Sequence, residues 1–416
     1  MIPFSTFTLD NGLRVLVHED PTVQIAVMNI LYDVGSRDEQ PDKTGFAHLF
    51  EHLMFGGSLN IPNYDEPLQL VGGENNAFTN TDITNYYLTV PADNLETGFW
   101  LESDRMLSLS FDPPVLEVQR KVVVEEFKQR YLNQPYGDVW LKIRPLAYKA
   151  HPYQWATIGK EISHIENATM NDVRDFFFSH YIPNNAILVV AGNVTYEQVK
   201  NLSEKWFAPI PAGIKKPRQL AREPLQTAKR TLTVNAKVPA HALYKSYHMQ
   251  GRFNNDFYAA ELLSDILSRG QSSRFYNQLV KEKKIFTSIS SFTMGSIDPG
   301  MFVISGRLGA GITPEAGEEE LEKVIQSLLK EGLRQGELQK VKNQSLTAME
   351  FEKVEVINRA MNLAFAALSG DANLINQESQ MIEAFEDDDI IRIASKILNE
   401  KNANVIYYHA EELDKT

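Results

Sequence analysis

A pattern used twice limits the folds open to this chain. A helix-patterned stretch runs through Asn-Ala into an apolar strand at DVRDFFFSHYIPNNAILVVAG (172–192), and the same order returns at IIRIASKILNEKNANVIYYHA (390–410). Such an echo implies two similarly built units of roughly 200 residues each. Earlier elements agree. FSTFTLDNGLRVLVHED alternates apolar and polar residues around Asn11-Gly12, a hairpin turn signal, and VQIAVMNILYDVG and TNYYLTVP (84–91) read as further strands. Helical periodicity covers NLETGFWLESDRMLSLSF, PPVLEVQRKVVVEEFKQRYL with Pro113-Pro114 at its start, and 169–181. The second half opens with the strand RTLTVNAKV and the helix NNDFYAAELLSDILS, continues with strand pairs around 285–308, and ends in ANVIYYHA (403–410). Between the halves, PIPAGIKKPRQLAREPLQT (209–227) is rich in Pro and basic residues and lacks a helical period, as a linker does. The expected architecture is α+β: two similar domains, 1–208 and 228–416, each an antiparallel-rich sheet packed with helices.

The first of these domains carries His48-Leu49-Phe50-Glu51-His52. Histidines four apart on a helix stand about one turn from each other and can reach one ion, with Glu51 on the same face to work on a water there. This is the H-x-x-E-H order, the reverse of the H-E-x-x-H zinc helix. Thr44 is the expected N-cap, Gly56-Gly57 the stop signal, and Phe46, Leu49, Phe50 and Leu53 the contacts that fix the helix on a core. The chain contains no cysteine, so a metal must be held by histidine and carboxylate. A catalytic zinc ion takes three protein ligands and keeps one position open. The helix over 114–132 offers Glu117, Glu125 and Glu126. Gln119, Val122, Val123 and Glu126 share one stripe, where a carboxylate is costly unless paired, whereas Glu125 lies near Lys121 and Lys128 as a solvated residue would. Glu126 is therefore the expected third ligand.

Lys and Arg total 41 against 54 Asp and Glu, a formal charge of −13. That balance disfavours nucleic acid and tolerates basic peptides. The opening MIPFSTFTLDNG shows neither a basic nor an apolar signal region, and no run approaches a membrane span. A cytoplasmic location without membrane association is the expectation.

Several motifs together carry a family resemblance. HLFEHLMFGG (48–57), QRKVVVEE (119–126), GGENNAFTNTDITNYYLTVP (72–91), ESDRM (102–106), HPYQWATIG (151–159) and NAILVVAGNV (185–194) resemble, in order and spacing, the pitrilysin/insulysin and mitochondrial-processing-peptidase superfamily of inverted zincins. The likeness continues more weakly through SSRFYNQLVKEKKIFTSIS (272–290). It implies a zinc metallopeptidase built as half of a clamshell that closes around a peptide. By position it makes His48, His52 and Glu126 the zinc ligands and Glu51 the general base. Asn76 and Ala77 fall on the edge strand that pairs with an extended substrate, a mode that recognises main chain. His151 reads as structural.

Two departures matter. Gln119 stands where the family pattern E-R-x-V-x-x-x-E opens with a supporting glutamate. Lys281 and Thr287 stand where active complexes carry an Arg and a Tyr that hold the substrate carbonyl; Arg274 and Tyr276 lie upstream of those positions. The resemblance thus implies a half-equipped endopeptidase for short or unfolded peptides. It would work as a homo- or heterodimer in which a homologous subunit supplies the Arg/Tyr pair. The alternative is a non-catalytic or peptide-binding assembly subunit of the same fold.

Overall fold

The computed structural model describes residues 1–215 and 217–411. Eleven strands, in chain order, are β1 (Ser5–Thr8), β2 (Arg14–Glu19), β3 (Ile25–Tyr32), β4 (Glu74–Thr79), β5 (Thr84–Pro91), β6 (Ala186–Gly192), β7 (Arg230–Ala236), β8 (Ala242–His248), β9 (Phe286–Met294), β10 (Met301–Leu308) and β11 (Ala403–Ala410). They form two sheets, ordered β1-β2-β6-β3-β5-β4 and β7-β11-β8-β10-β9. Without β1, the two orders are the same when strands are counted within their own half. In each sheet the first and last of these strands pair in parallel, β2 with β6 and β7 with β11, and the remaining pairs are antiparallel. The helix–Asn-Ala–strand echo marks β6 and β11, the strands inserted late beside the first strand of each sheet. The chain is thus an α+β protein with two halves of one topology.

β1 and β2 form the hairpin expected at Asn11-Gly12, where Gly12 has φ +86°. A Cβ there would also lie 2.7 Å from the Asn184 Cβ, so only glycine fits the turn.

The compact units do not follow the boundaries 1–208 and 228–416. One comprises Met1–Arg130, Trp155–Ala221 and Glu350–Gln377; the other comprises Tyr131–Gln154, Arg222–Met349 and the chain from Glu378 on. Two exchanges produce the difference. The helix Val356–Leu368, far along the sequence, packs Ala360, Leu363, Ala364 and Ala367 against Val27, Leu31, Ile187 and Val189 of the first sheet. The helix Val139–Ala147, early in the sequence, packs Val139 and Ile143 against Ala242, Tyr244, Ile406 and Tyr408 of the second. Each sheet face needs an apolar cover, and the nearest segment in sequence does not supply it.

The 209–227 segment has no helix or strand among its described residues, as expected of a linker, yet it is held down. Asn184 exchanges hydrogen bonds with both backbone groups of Gly213, and Arg218 pairs with Asp33 at 2.9 Å and Asp38 at 2.6 Å. Past the unit boundary, the Glu223 carboxylate accepts from the N–H groups of Lys149, Ala150 and His151. Among the described residues no helix is long and apolar enough to cross a membrane.

Candidate metal centre

His48, Glu51 and His52 lie on the helix Phe46–Leu53, which buries Phe46, Ala47, Leu49, Phe50 and Leu53 and leaves the three polar side chains half-buried on the opposite face. Phe50 anchors the buried face, stacked on Tyr181 at 5.3 Å and tilted against Phe176 at 4.9 Å. The helix begins at Gly45 with φ +87°, where a Cβ would meet the Ile158 carbonyl oxygen and Ile165 Cδ1 at 2.7 Å each. Its cap is not Thr44. The Thr44 hydroxyl accepts from Lys160 N–H and pairs with His164 Nδ1, while the buried Glu39 carboxylate accepts from Gly45 N–H at 2.9 Å and Ala47 N–H at 2.8 Å. Burial raises the Glu39 carboxyl well above its ordinary value, opposed by the N–H bonds from Ala47 and Gly45, so it serves the first turn as a hydrogen-bond acceptor. Past Leu53 the chain turns through Gly56 to Gly57, at φ +92°, as the stop signal implied.

Glu126 comes from the helix Pro113–Phe127, which packs against the His48 helix. Its buried stripe is Leu116, Val123, Val124 and Phe127. Val122 is 44% exposed, so the stripe expected through 119, 122, 123 and 126 is rotated from the true one, and Glu126 sits at the edge of the packed face rather than in it. From there Glu126 Oε2 lies 3.7 Å from His48 Nε2 and 3.4 Å from His52 Nε2. The two imidazole planes are nearly perpendicular, at 89°, with centroids 4.9 Å apart. Among the described residues, His48, His52 and Glu126 are the one group of at least three His, Cys, Asp or Glu whose donor atoms converge, all within 4.8 Å of one another.

The electrostatics suit a cation. Burial pushes the His48 imidazole down to about 4, against the pull of Glu126, so the ring is neutral near neutral pH. A hydrogen bond from His52 holds the Glu126 carboxyl below its ordinary value, with the nearby Arg130 guanidinium adding to it against burial. Neutral imidazole and ionised carboxylate are the ligand forms a metal needs. Burial raises Glu51 instead, opposed first by polar contacts with Thr79 and then by His52. A carboxylate lifted in this way is a better proton acceptor.

Glu117 and Glu125 pair with Arg120 and Lys128 at the surface and stay outside the cluster. Gln119 is half-buried two turns before Glu126, and the buried Nδ1 of His48 has no hydrogen-bond partner, so Gln119 does not hold that ring. Asn76 and Ala77 lie on β4, opposite Tyr87 and Tyr86 of β5. β4 ends its sheet, so among the described residues one of its edges pairs with no strand, and the Asn76 side-chain oxygen accepts from the Ala77 N–H at 2.8 Å. In the other unit, the Thr287 hydroxyl donates to the Arg307 carbonyl and Lys281 is exposed. Arg274 is buried and paired with Glu337 at 2.6 Å, a structural role. His151 is buried too, with Nδ1 accepting from Tyr153 N–H and Nε2 3.2 Å from Asp298. Sequence reasoning missed one residue that touches this centre and one that supports its helix from outside. Glu39 carries no motif signal of its own, whereas Arg130, 2.9 Å from Glu126 Oε1, was legible as an i,i+4 partner.

Comparison with known proteins identifies the family to which the chain belongs. Residues 14–151 match the family model described as Insulinase (Peptidase family M16), and residues 167–345 match Peptidase M16 inactive domain. The zinc protease PqqE of Helicobacter pylori is 32% identical over 341 residues, covering 80% of this chain and 77% of that protein. The chain belongs to the M16 peptidase family. A crystal structure of a protease from Helicobacter pylori is 28% identical and superimposes with a TM-score of 0.93, covering 98% of this chain and 99% of that one. The periplasmic protease PqqL from Escherichia coli shares the fold at 17% identity and a TM-score of 0.81. There, 98% of this M16 chain covers only 48% of the longer one.

Proposed function

We propose that this M16 chain is a zinc-dependent endopeptidase that hydrolyses short or unfolded peptides. The observation that carries the reading is the convergence of His48, His52 and Glu126 with Glu51 beside them on the same helix face. Two imidazole nitrogens and one carboxylate oxygen, without thiolate, are a zinc donor set that leaves a position open. The residues fit the ion: His48, His52 and Glu126 would hold it. When bound, zinc supplies Lewis acidity that lowers the pKa of water and polarises a scissile carbonyl.

The rest of the chemistry falls to the chain. Glu51 accepts the proton of the attacking water and returns it to the leaving amine. The free edge of β4 takes an extended peptide by backbone pairing, with the Asn76 side chain turning aside to release the Ala77 N–H. Side-chain pockets then decide selectivity.

The chain has Lys281 and Thr287 where an Arg and a Tyr would bind the substrate carbonyl, and Thr287 spends its hydroxyl within its own sheet. Losing such a donor costs about 10²–10³ in kcat. This supports a dimer, and a heterodimer in particular, with a homologous subunit supplying the pair. The likeness to half of a longer chain is compatible with such a two-part assembly. The test is metal removal. Chelation should reduce cleavage of a quenched peptide mixture to background, and stoichiometric zinc should restore it. Cleavage that persists through complete metal removal contradicts the proposal.

A further inference from the structure

Arg130 lies on the wider π-helical turn Lys128–Leu132 that continues the Glu126 helix, four residues beyond the carboxylate. Its guanidinium meets Glu126 Oε1 at 2.9 Å, while Oε2 faces His48 and His52 at 3.7 and 3.4 Å. The two oxygens therefore have different neighbours: one takes an arginine and the other the two imidazoles. The Arg130 side chain is 69% exposed and the Glu126 side chain 17%, so the arginine reaches in from solvent over a mostly covered carboxylate. π-helical turns are uncommon and occur often at functional sites.

We propose that Arg130 is a positioning residue for Glu126, holding Oε1 so that the carboxylate meets the metal through Oε2 alone. This inference rests on the zinc reading of the site. A carboxylate free to swing can offer both oxygens and fill the position that water or substrate needs. A carboxylate pinned at one oxygen cannot. Partners of this kind orient a ligand without touching the metal, and their loss typically weakens binding by about 10–100-fold. An exposed ion pair contributes little to folding, so the role should appear in metal binding and leave thermal stability nearly unchanged.

The test uses the full-length chain and its Arg130→Ala and Arg130→Lys variants. Zinc affinity is measured by competition with a chromophoric chelator, coordination by the visible spectrum of the cobalt(II)-loaded protein, and folding by thermal melting. Arg130→Ala should bind zinc about 10–100-fold more weakly with an unchanged melting temperature. Its cobalt bands should lose intensity, because a second carboxylate oxygen raises the coordination number. Arg130→Lys keeps the charge but not the planar fork, and should recover part of both signals. Zinc affinity and cobalt spectrum equal to wild type in Arg130→Ala would overturn the positioning role while leaving the metal site intact. A wild-type chain that takes up no zinc would overturn both readings together.

Discussion

Glu39 shows how much of the metal centre depends on a residue outside it. From a buried position it satisfies the N–H groups of Gly45 and Ala47, which open the helix bearing His48, Glu51 and His52. Glu39→Ala leaves two buried donors without a partner, at a cost of about 1–3 kcal/mol per group. It should lower the urea midpoint and weaken zinc binding together, because the same turn sets where His48 points. Glu39→Gln keeps one acceptor oxygen and should lose less of both. Unchanged stability in Glu39→Ala contradicts the capping role. The closeness of His48, His52 and Glu126, with Glu51 beside them, was legible because three of them repeat at helical spacing and Glu126 ends a patterned segment. The cap was not, because Thr44 has the right chemistry at the right position but its hydroxyl is engaged by Lys160 and His164. The stripe on the Glu126 helix erred by rotation: valines at 122, 123 and 124 look alike in sequence, and only packing shows that 122 is the exposed one.

Among elements, the helix Val356–Leu368 marks the limit of reading by sequence order. Its apolar residues are ordinary for an amphipathic helix, and nothing in them names the sheet they cover. Strands and helices with strong periodicity, such as β5 and β11, fall at the expected residues, while the helices that cross between units do not follow their neighbours in sequence. A fragment ending at Ala221 would leave Val27, Leu31, Ile187 and Val189 without Leu363 and the alanines that cover them. Exposed apolar area of this kind disfavours folding by about 25 cal/mol per Å². The fragment 1–221 should therefore be aggregated or molten by near-ultraviolet circular dichroism, and a peptide spanning 350–377 added during refolding should restore a cooperative melt. A cooperative melt from 1–221 alone would contradict the assignment of that helix to the first unit's core.

For the whole molecule, one topology appears twice and, among the described residues, the converging donor set once. His48, Glu51, His52, Asn76, Ala77, Gln119, Glu126 and Arg130 all belong to the first unit, and the second carries Lys281 and Thr287 at the positions where an Arg/Tyr pair was sought. The duplication was legible because the helix–Asn-Ala–strand order is local. The proposed partner rests on the family resemblance at Lys281 and Thr287. The account predicts weak cleavage by this chain alone and strong cleavage when a homologous subunit bearing the Arg/Tyr pair is added. Full activity from the lone chain would remove the heterodimer from it.

In the proposed mechanism Glu51 moves the proton, beside a metal that His48, His52 and Glu126 would hold. The direct measurement compares the wild type with Glu51→Gln, each with its partner present, for zinc bound per chain and for cleavage of a quenched peptide mixture. The account predicts equal zinc in both and a fall in cleavage of about 10²–10⁴-fold in the variant. Equal cleavage by the two proteins, or no cleavage by the wild type in any pairing, would contradict it.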